Sequence, residues 1–318
     1  MIYKRKYAHW MARLRAPVVS SLVFALFGCN STDTLSTDPT SPSQDTPEVL
    51  PADDGATAMA YRGGIPFGTF ALPTSYFGSV YNGAMQNNWP GSLLAELKAI
   101  KARGGKVVLM FAGSEQYYKD RYGHFDFGKW KARVNRFRNV NFSAYVKDGT
   151  IIGHYLIDEP HDTHNWNGRP VSQGMVEAMA QYSKSIWPSM PAIVRDEPVW
   201  LRKYSGSFRY LDGAWAQYSA RRGSVTTYIN SQVSAAKAKG LSLIVGLNML
   251  KGGSPNRTAM SATEVERYGS ALLASSYPCA FLSWKYSSSY LSSSSMKTAM
   301  QRLSNKAESR GFKSCRGS

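Results

Sequence analysis

Acidic residues are scarce in this 318-residue chain: 21 Asp and Glu stand against 38 Lys and Arg, a formal net charge of +17. The excess is not gathered into a Lys/Arg-rich run within the folded part, and there is no nucleic-acid-binding motif, so nucleic acid is not the expected partner. The basic balance suits an anionic neighbour such as an acidic glycan or a membrane face, or simply a solvated basic surface. Cysteine is scarcer still, with three residues, and no Cys/His spacing has the form of a zinc site. The absence of G-x-S-x-G argues against a nucleophile-elbow serine hydrolase. There is no G-x-G-x-x-G after the first strand candidate and no P-loop, which removes the common reasons to expect an open doubly wound sheet. The apolar stretch "APVVSSLVFALFG" at 16–28 is about 13 residues, too short to span a bilayer comfortably as a helix.

That stretch follows a basic start, "MIYKRKYAHWMARLR", and the two read together as an export signal. It ends in "LFGC", residues 26–29, which resembles a bacterial lipobox: Leu26, Gly28 and Cys29 match, and Phe27 is bulkier than that family usually has. The resemblance implies that 1–29 is a lipoprotein-type signal, that Cys29 is lipidated, and that the protein is exported and anchored at a membrane of the cell envelope. An ordinary secretory signal cut nearby, or an uncleaved anchor, fits the same residues. Residues 30–57, rich in Ser, Thr, Pro and Asp without apolar periodicity, are expected to be a disordered tether reaching on the order of 30 Å. With Cys29 lipidated, Cys279 and Cys315 remain as an even pair. In an oxidising compartment they would form a disulfide tying the C-terminal tail to the last strand.

The remaining residues, 58–318, form one expected domain of about the size of a (β/α)₈ barrel. Seven strand candidates recur along it, at 66–72, 106–113, 150–158, 191–196, 212–218, 241–250 and 279–286. Near-continuous apolar runs bounded by polar or turn residues suit parallel strands buried on both faces. Amphipathic helices separate most of them. In "GSLLAELKAIKARGG", Leu94, Leu97 and Ile100 are expected on one face, and Ser261 with Glu264 has capping-box spacing. The favoured architecture is an α/β closed (β/α)₈ TIM barrel with one strand still to be found.

Two of these strands end alike, in "YLIDEPHD" (155–162) and "VRDEPVW" (194–200). Proline cannot continue a ladder, so each strand stops just past its acids. In such barrels chemistry sits at the C-terminal strand ends, and adjacent strands about 4.8 Å apart could hold Glu159 and Glu197 within the range glycosidases use. Acids at strand ends also cap the following helix or pair with nearby cations, as Arg195 beside Asp196 could. "IDEP" resembles the Asn-Glu-Pro signature of the large glycoside hydrolase clan built on (β/α)₈ barrels. The resemblance implies that Glu159 is the general acid/base and that Asp158 takes the position of the sugar-contacting Asn. "FLSWKY" is similar to the clan's last strand, with Trp284 as the floor of a sugar subsite.

Two departures stand beside this. The clan's nucleophilic Glu ends a late strand, where this chain has Asn248 and Lys285, and the motif falls on the third countable strand rather than the fourth. The adjacent Asp-Glu pair also resembles substrate-assisted hexosaminidases, in which the Asp orients an acetamido nucleophile. The catalytic candidates are therefore Glu159, Asp158 and Glu197, and the substrate-binding candidates Gln217, Tyr218, Asn248, Trp284, Tyr286 and His161. No cofactor is called for. The expected activity is a glycosidase on an oligo- or polysaccharide, acting as a monomer. The alternative is a non-catalytic glycan-binding lipoprotein. A third reading, a metal-dependent hydrolase using Asp158, His161 and His164, rests on Asp-x-x-His-x-x-His, which is not a strong metal spacing.

Overall fold

The computed structural model describes residues 61, 63–256 and 258–317; residues 1–29 with Cys29, expected to be a signal, and 30–57, expected to be a tether, lie outside the described residues. Eight parallel strands close into a barrel: β1 (Phe67–Phe70), β2 (Gly83–Asn87), β3 (Lys106–Met110), β4 (Ile151–Asp158), β5 (Ala192–Arg195), β6 (Gly213–Tyr218), β7 (Ser242–Leu247) and β8 (Ala280–Ser283). Each pairs with the next, and β8 closes on β1 through Phe67↔Phe281 and Gly68↔Leu282. This is the (β/α)₈ fold expected of the alternating pattern.

The strand that the pattern omits is β2. Its sequence, GAMQN, has no β-branched or aromatic residue, and glycine is there for a steric reason. Gly83 pairs with Gly68 across the β1–β2 ladder, and a Cβ on Gly68 would lie 1.8 Å from the Gly83 carbonyl oxygen. With β2 included, "IDEP" ends the fourth strand, so the third-strand count is corrected and agrees with the clan.

The helices are α1 (Leu93–Ala102), α2 (Phe127–Asn135), α3 (Ser143–Lys147), α4 (Gln173–Ile186), α5 (Pro198–Leu201), α6 (Val225–Ala238), α7 (Ala262–Ala274), α8 (Ser288–Leu291) and α9 (Ser294–Glu308). α1 buries Leu93, Leu97 and Ile100, while Leu94 is 44% exposed, so its apolar stripe sits one residue earlier than expected. α7 opens with the Ser261–Glu264 capping box. Two apolar clusters follow from the period-two alternation of buried strands. One, between strands and helices, holds Val107, Leu156, Val194, Ala216 and Val245. The other fills the barrel with Met85, Val108, Tyr155, Ile193, Trp215, Ile244 and Leu282. Cys279, just before β8, is disulfide-bonded to Cys315, and Ser242 Oγ donates to the Cys315 carbonyl at 2.7 Å.

Candidate active site

The barrel-filling residues fix which positions face inward, and two residues further along, or four on β7, the same parity reaches the C-terminal rim. Ile193 leads to Arg195, Trp215 to Gln217, Ile244 to Asn248 and Leu282 to Trp284. Trp215 is fully buried below them, its indole N–H donating to the Leu282 carbonyl at 3.0 Å. Above it lies a cleft lined by Glu159, His161, Arg195, Glu197, Gln217 and Asn248, among others. The opposite parity removes Tyr218 from the substrate-binding set. It is buried beneath α6 and α7, edge-on to Tyr228 at 5.3 Å and tilted against Tyr268 at 4.9 Å, and its hydroxyl donates to the Gly223 carbonyl. Tyr286 is also away from the carboxylates, 5.1 Å from Tyr76 in a separate groove bordered by α8 and α9. Trp284 is half-buried and bridges to Asn248.

The first Asp-Glu-Pro is built around a buried cation. Asp158 is the last residue of β4, and Glu159 turns away from the strand at φ +34°, a left-handed conformation uncommon outside glycine. Arg195, on β5, bonds to Asp158, lies 3.2 Å from Glu159 Oε1, and donates to Gln217 Oε1 at 2.6 Å. Burial pulls the Arg195 pKa down, and the charges of Asp158 and Glu159 more than reverse that, so it stands above its ordinary value. Arg195 Nε and Gln217 Nε2 are buried donors that no protein group satisfies. Such donors beside a cleft are suited to sugar hydroxyl oxygens. Glu159 itself is about half exposed, with 47% of its side chain accessible, so the apolar shielding suggested by its strand is not what surrounds it.

The second Asp-Glu-Pro is used differently. Asp196 is buried; it accepts from the Glu197 N–H at 2.7 Å and from His161 Nδ1 at 2.8 Å. That hydrogen bond raises the His161 pKa against the opposing effect of burial. Glu197 precedes α5 without capping it through its side chain. Its carboxylate instead pairs with Arg222 and receives Tyr228 Oη at 3.4 Å and Gln232 Nε2 at 3.3 Å. Burial raises its pKa, and Arg222 opposes the rise.

One acid at this site escapes sequence reasoning. Glu115 lies in the single turn Glu115–Tyr118 after β3. Burial first, and the charge of Asp158 second, push its pKa up to about 7; Asn165 and Lys119 pull it down, and Glu159 adds to the rise. Two carboxyl groups thus share the Arg195 guanidinium, and a third, Glu115, paired with Lys119 at 3.8 Å, is close enough to feel both their charges. Its loop, 113–130, is conspicuous in the sequence for tyrosine and charge, but nothing local singles out this acid. Among the described residues no carboxylate from β6, β7 or β8 lines the cleft, and no group of three His, Cys, Asp or Glu could hold a metal ion. His164 is 96% exposed and lies against Asp162.

A search of family models returns no match, nor does a search of curated proteins. Among solved structures, the chain is similar to a cellulase in complex with an inhibitor, at TM-score 0.53 and 8% identity over 76% of this chain and 92% of that one. It is similar to an exo-β-1,4-mannosidase from an Opitutaceae bacterium, at 0.51 and 11% over 81% of this chain and 62% of that one. A GH30 endoxylanase from Clostridium papyrosolvens aligns at 0.50 and 10% over 80% and 72%. At such identities the likeness shows the fold: this chain has the eight-stranded parallel barrel on which these glycoside hydrolases are built.

Proposed function

We propose that the chain hydrolyses glycosidic bonds of an oligo- or polysaccharide, exported and held at the cell envelope by lipid on Cys29. The observation that carries the reading is the Asp158–Glu159 pair at Arg195 at the C-terminal end of β4, with Glu115 close enough to couple to both, in a barrel shared with glycoside hydrolases. Glycosidic cleavage needs a carboxyl that holds a proton near neutral pH and a second negative group for the developing oxocarbenium charge. Glu159 is the member of the cluster that lines the cleft, and it takes the acid/base role. It protonates the leaving oxygen as the bond from the anomeric carbon breaks, then receives a proton from the attacking water. Glu115 keeps the cluster's proton available near pH 7. Arg195, Gln217 and Asn248 bind hydroxyls, Glu197 supplies the second carboxylate, and Trp284 borders the sugar.

Asn248, at the end of β7 where the clan has its nucleophile, favours a second reading: a barrel that binds a glycan without cleaving it. Reducing-sugar release by the full chain from a glycan panel, with Glu159→Gln beside it, separates the two. Hydrolysis falling by about 10²- to 10⁴-fold in the variant is the expected result. Equal activity in both would refute the site assignment, and saturable binding without cleavage would establish the second reading.

A further inference from the structure

The loop that carries Glu115 leads, two residues on, to a second constellation at the rim. Trp89, just past β2, is 56% exposed, and Tyr117 is 46% exposed. Each ring has a guanidinium over it: Arg136 at 5.3 Å from the Trp89 centroid and Arg133 at 4.2 Å from that of Tyr117. The two arginines are held in place by main-chain carbonyls just past β3 and on α2. Arg133 Nε donates to Ala112 at 3.0 Å, Arg136 Nη2 to Phe111 at 3.0 Å, and Arg136 Nε to Arg133 at 3.0 Å. Carbonyls orient a guanidinium without neutralising it, and among the described residues no carboxylate pairs with either. Gly113 brings these groups towards the barrel mouth: a Cβ there would lie 3.1 Å from Arg133, 3.5 Å from Tyr117 and 3.8 Å from Asn87, which ends β2. Two fixed, unneutralised cations beside two exposed aromatic faces match a sugar ring that carries an anionic substituent. The rings offer stacking surface, and the planar forks suit a carboxylate or sulfate.

We propose that this rim is a subsite for an acidic saccharide unit, and that the substrate is an acidic polysaccharide crossing from the cleft at Glu159 to the β2–β3 edge. The second half rests on the hydrolase reading above; the binding half does not. The formal charge of +12 left after residues 1–29, 33 Lys and Arg against 21 Asp and Glu, draws such a polymer in from solution.

The test is binding of the full chain to polygalacturonate, dextran sulfate and neutral dextran, measured by calorimetry. Wild type is compared with Arg133→Gln/Arg136→Gln, with Trp89→Ala, and with Lys98→Gln/Lys203→Gln, which removes two exposed charges elsewhere. Wild type is expected to bind one acidic polymer at least tenfold more tightly than dextran, and which one tells uronate from sulfate. The arginine pair and Trp89→Ala should each weaken that binding about tenfold or more, and the lysine pair should change it less than twofold. Trp89→Ala leaves the arginine–carbonyl bonds intact, so it stands if the double arginine variant fails to fold. Equal losses in the arginine and lysine pairs would replace the subsite with diffuse charge and overturn it, as would equal affinity for dextran. Acidic binding lost in the rim variants, with no cleavage by wild type, would uphold the rim and sink the hydrolase. Cleavage of a neutral glycan that depends on Glu159 and ignores the rim would do the reverse.

Discussion

If burial and Asp158 hold a proton on Glu115, replacing it should stabilise the protein, increasingly as pH rises from about 4.5 to 7 and by a constant amount above that. Its ordinary pKa of 4.5 is pushed to about 7 in the fold. Between those values the folded chain keeps a proton that the unfolded chain has released, so this group lowers stability as pH rises through that window and no further above it. At about 1.4 kcal/mol per tenfold change in proton affinity, the full cost at pH 8 is roughly 3 kcal/mol. The side chain is 24% exposed, and solvent reduces this to about 1.5–3 kcal/mol. Glu115→Gln imitates the protonated carboxyl. It should exceed wild type by less than about 1 kcal/mol at pH 5 and melt about 3–12 °C higher at pH 8, from about 2–4 °C per kcal/mol for a domain of this size.

The wild-type curve alone cannot carry this test, because His154 works against Glu115 in an overlapping range. Burial lowers its pKa to about 3, so it stays neutral in the fold while the unfolded chain protonates, and stability falls as pH drops below about 6.5. The difference between wild type and Glu115→Gln cancels His154. Scanning calorimetry of both proteins from pH 5 to 9 measures it. A gap that is the same at every pH, or absent at pH 8, would refute the account of the cluster. The gain in stability should come with a loss of activity near neutrality, as expected where strain is part of a site.

Three further outcomes follow from the same geometry. Arg195→Met leaves Asp158 and Glu159, 36% and 47% exposed at the end of β4, without their cation and should lower stability by about 1–2 kcal/mol in urea unfolding, solvent screening much of the effect; no loss at all would mean water already satisfies the pair. Asp196→Asn removes the bond that holds the His161 pKa up, so the imidazole resonances in an NMR titration should move to a lower midpoint, and an unmoved midpoint would assign the rise to another group. Replacing Cys279 and Cys315 by Ala opens a loop with a sequence separation of 36 and should cost about 4 kcal/mol, read as a lower urea midpoint for the variant; equal midpoints would show that strain offsets the cross-link.

The strands were legible where burial on both faces forces an unbroken apolar run, as in "SLIVGL" of β7, and illegible where backbone proximity rules instead, as at Gly68 and Gly83. The site divides along the same line. Prolines marked the ends of β4 and β5, and with them the face on which chemistry would be found. Arg195 and Asp196 invite reading as a local pair, but neighbours on a strand point to opposite sides. Arg195 goes inward to Asp158, and Asp196 meets His161. The same alternation sends Gln217 into the cleft and Tyr218 under the helices, so carrying the period of two past each strand's last apolar residue would have grouped Arg195, Gln217, Asn248 and Trp284 and left Tyr218 out. Glu115 obeys no such period. Its proton affinity is set by burial and by Asp158, which belongs to the neighbouring strand, and only the closed barrel brings the two together.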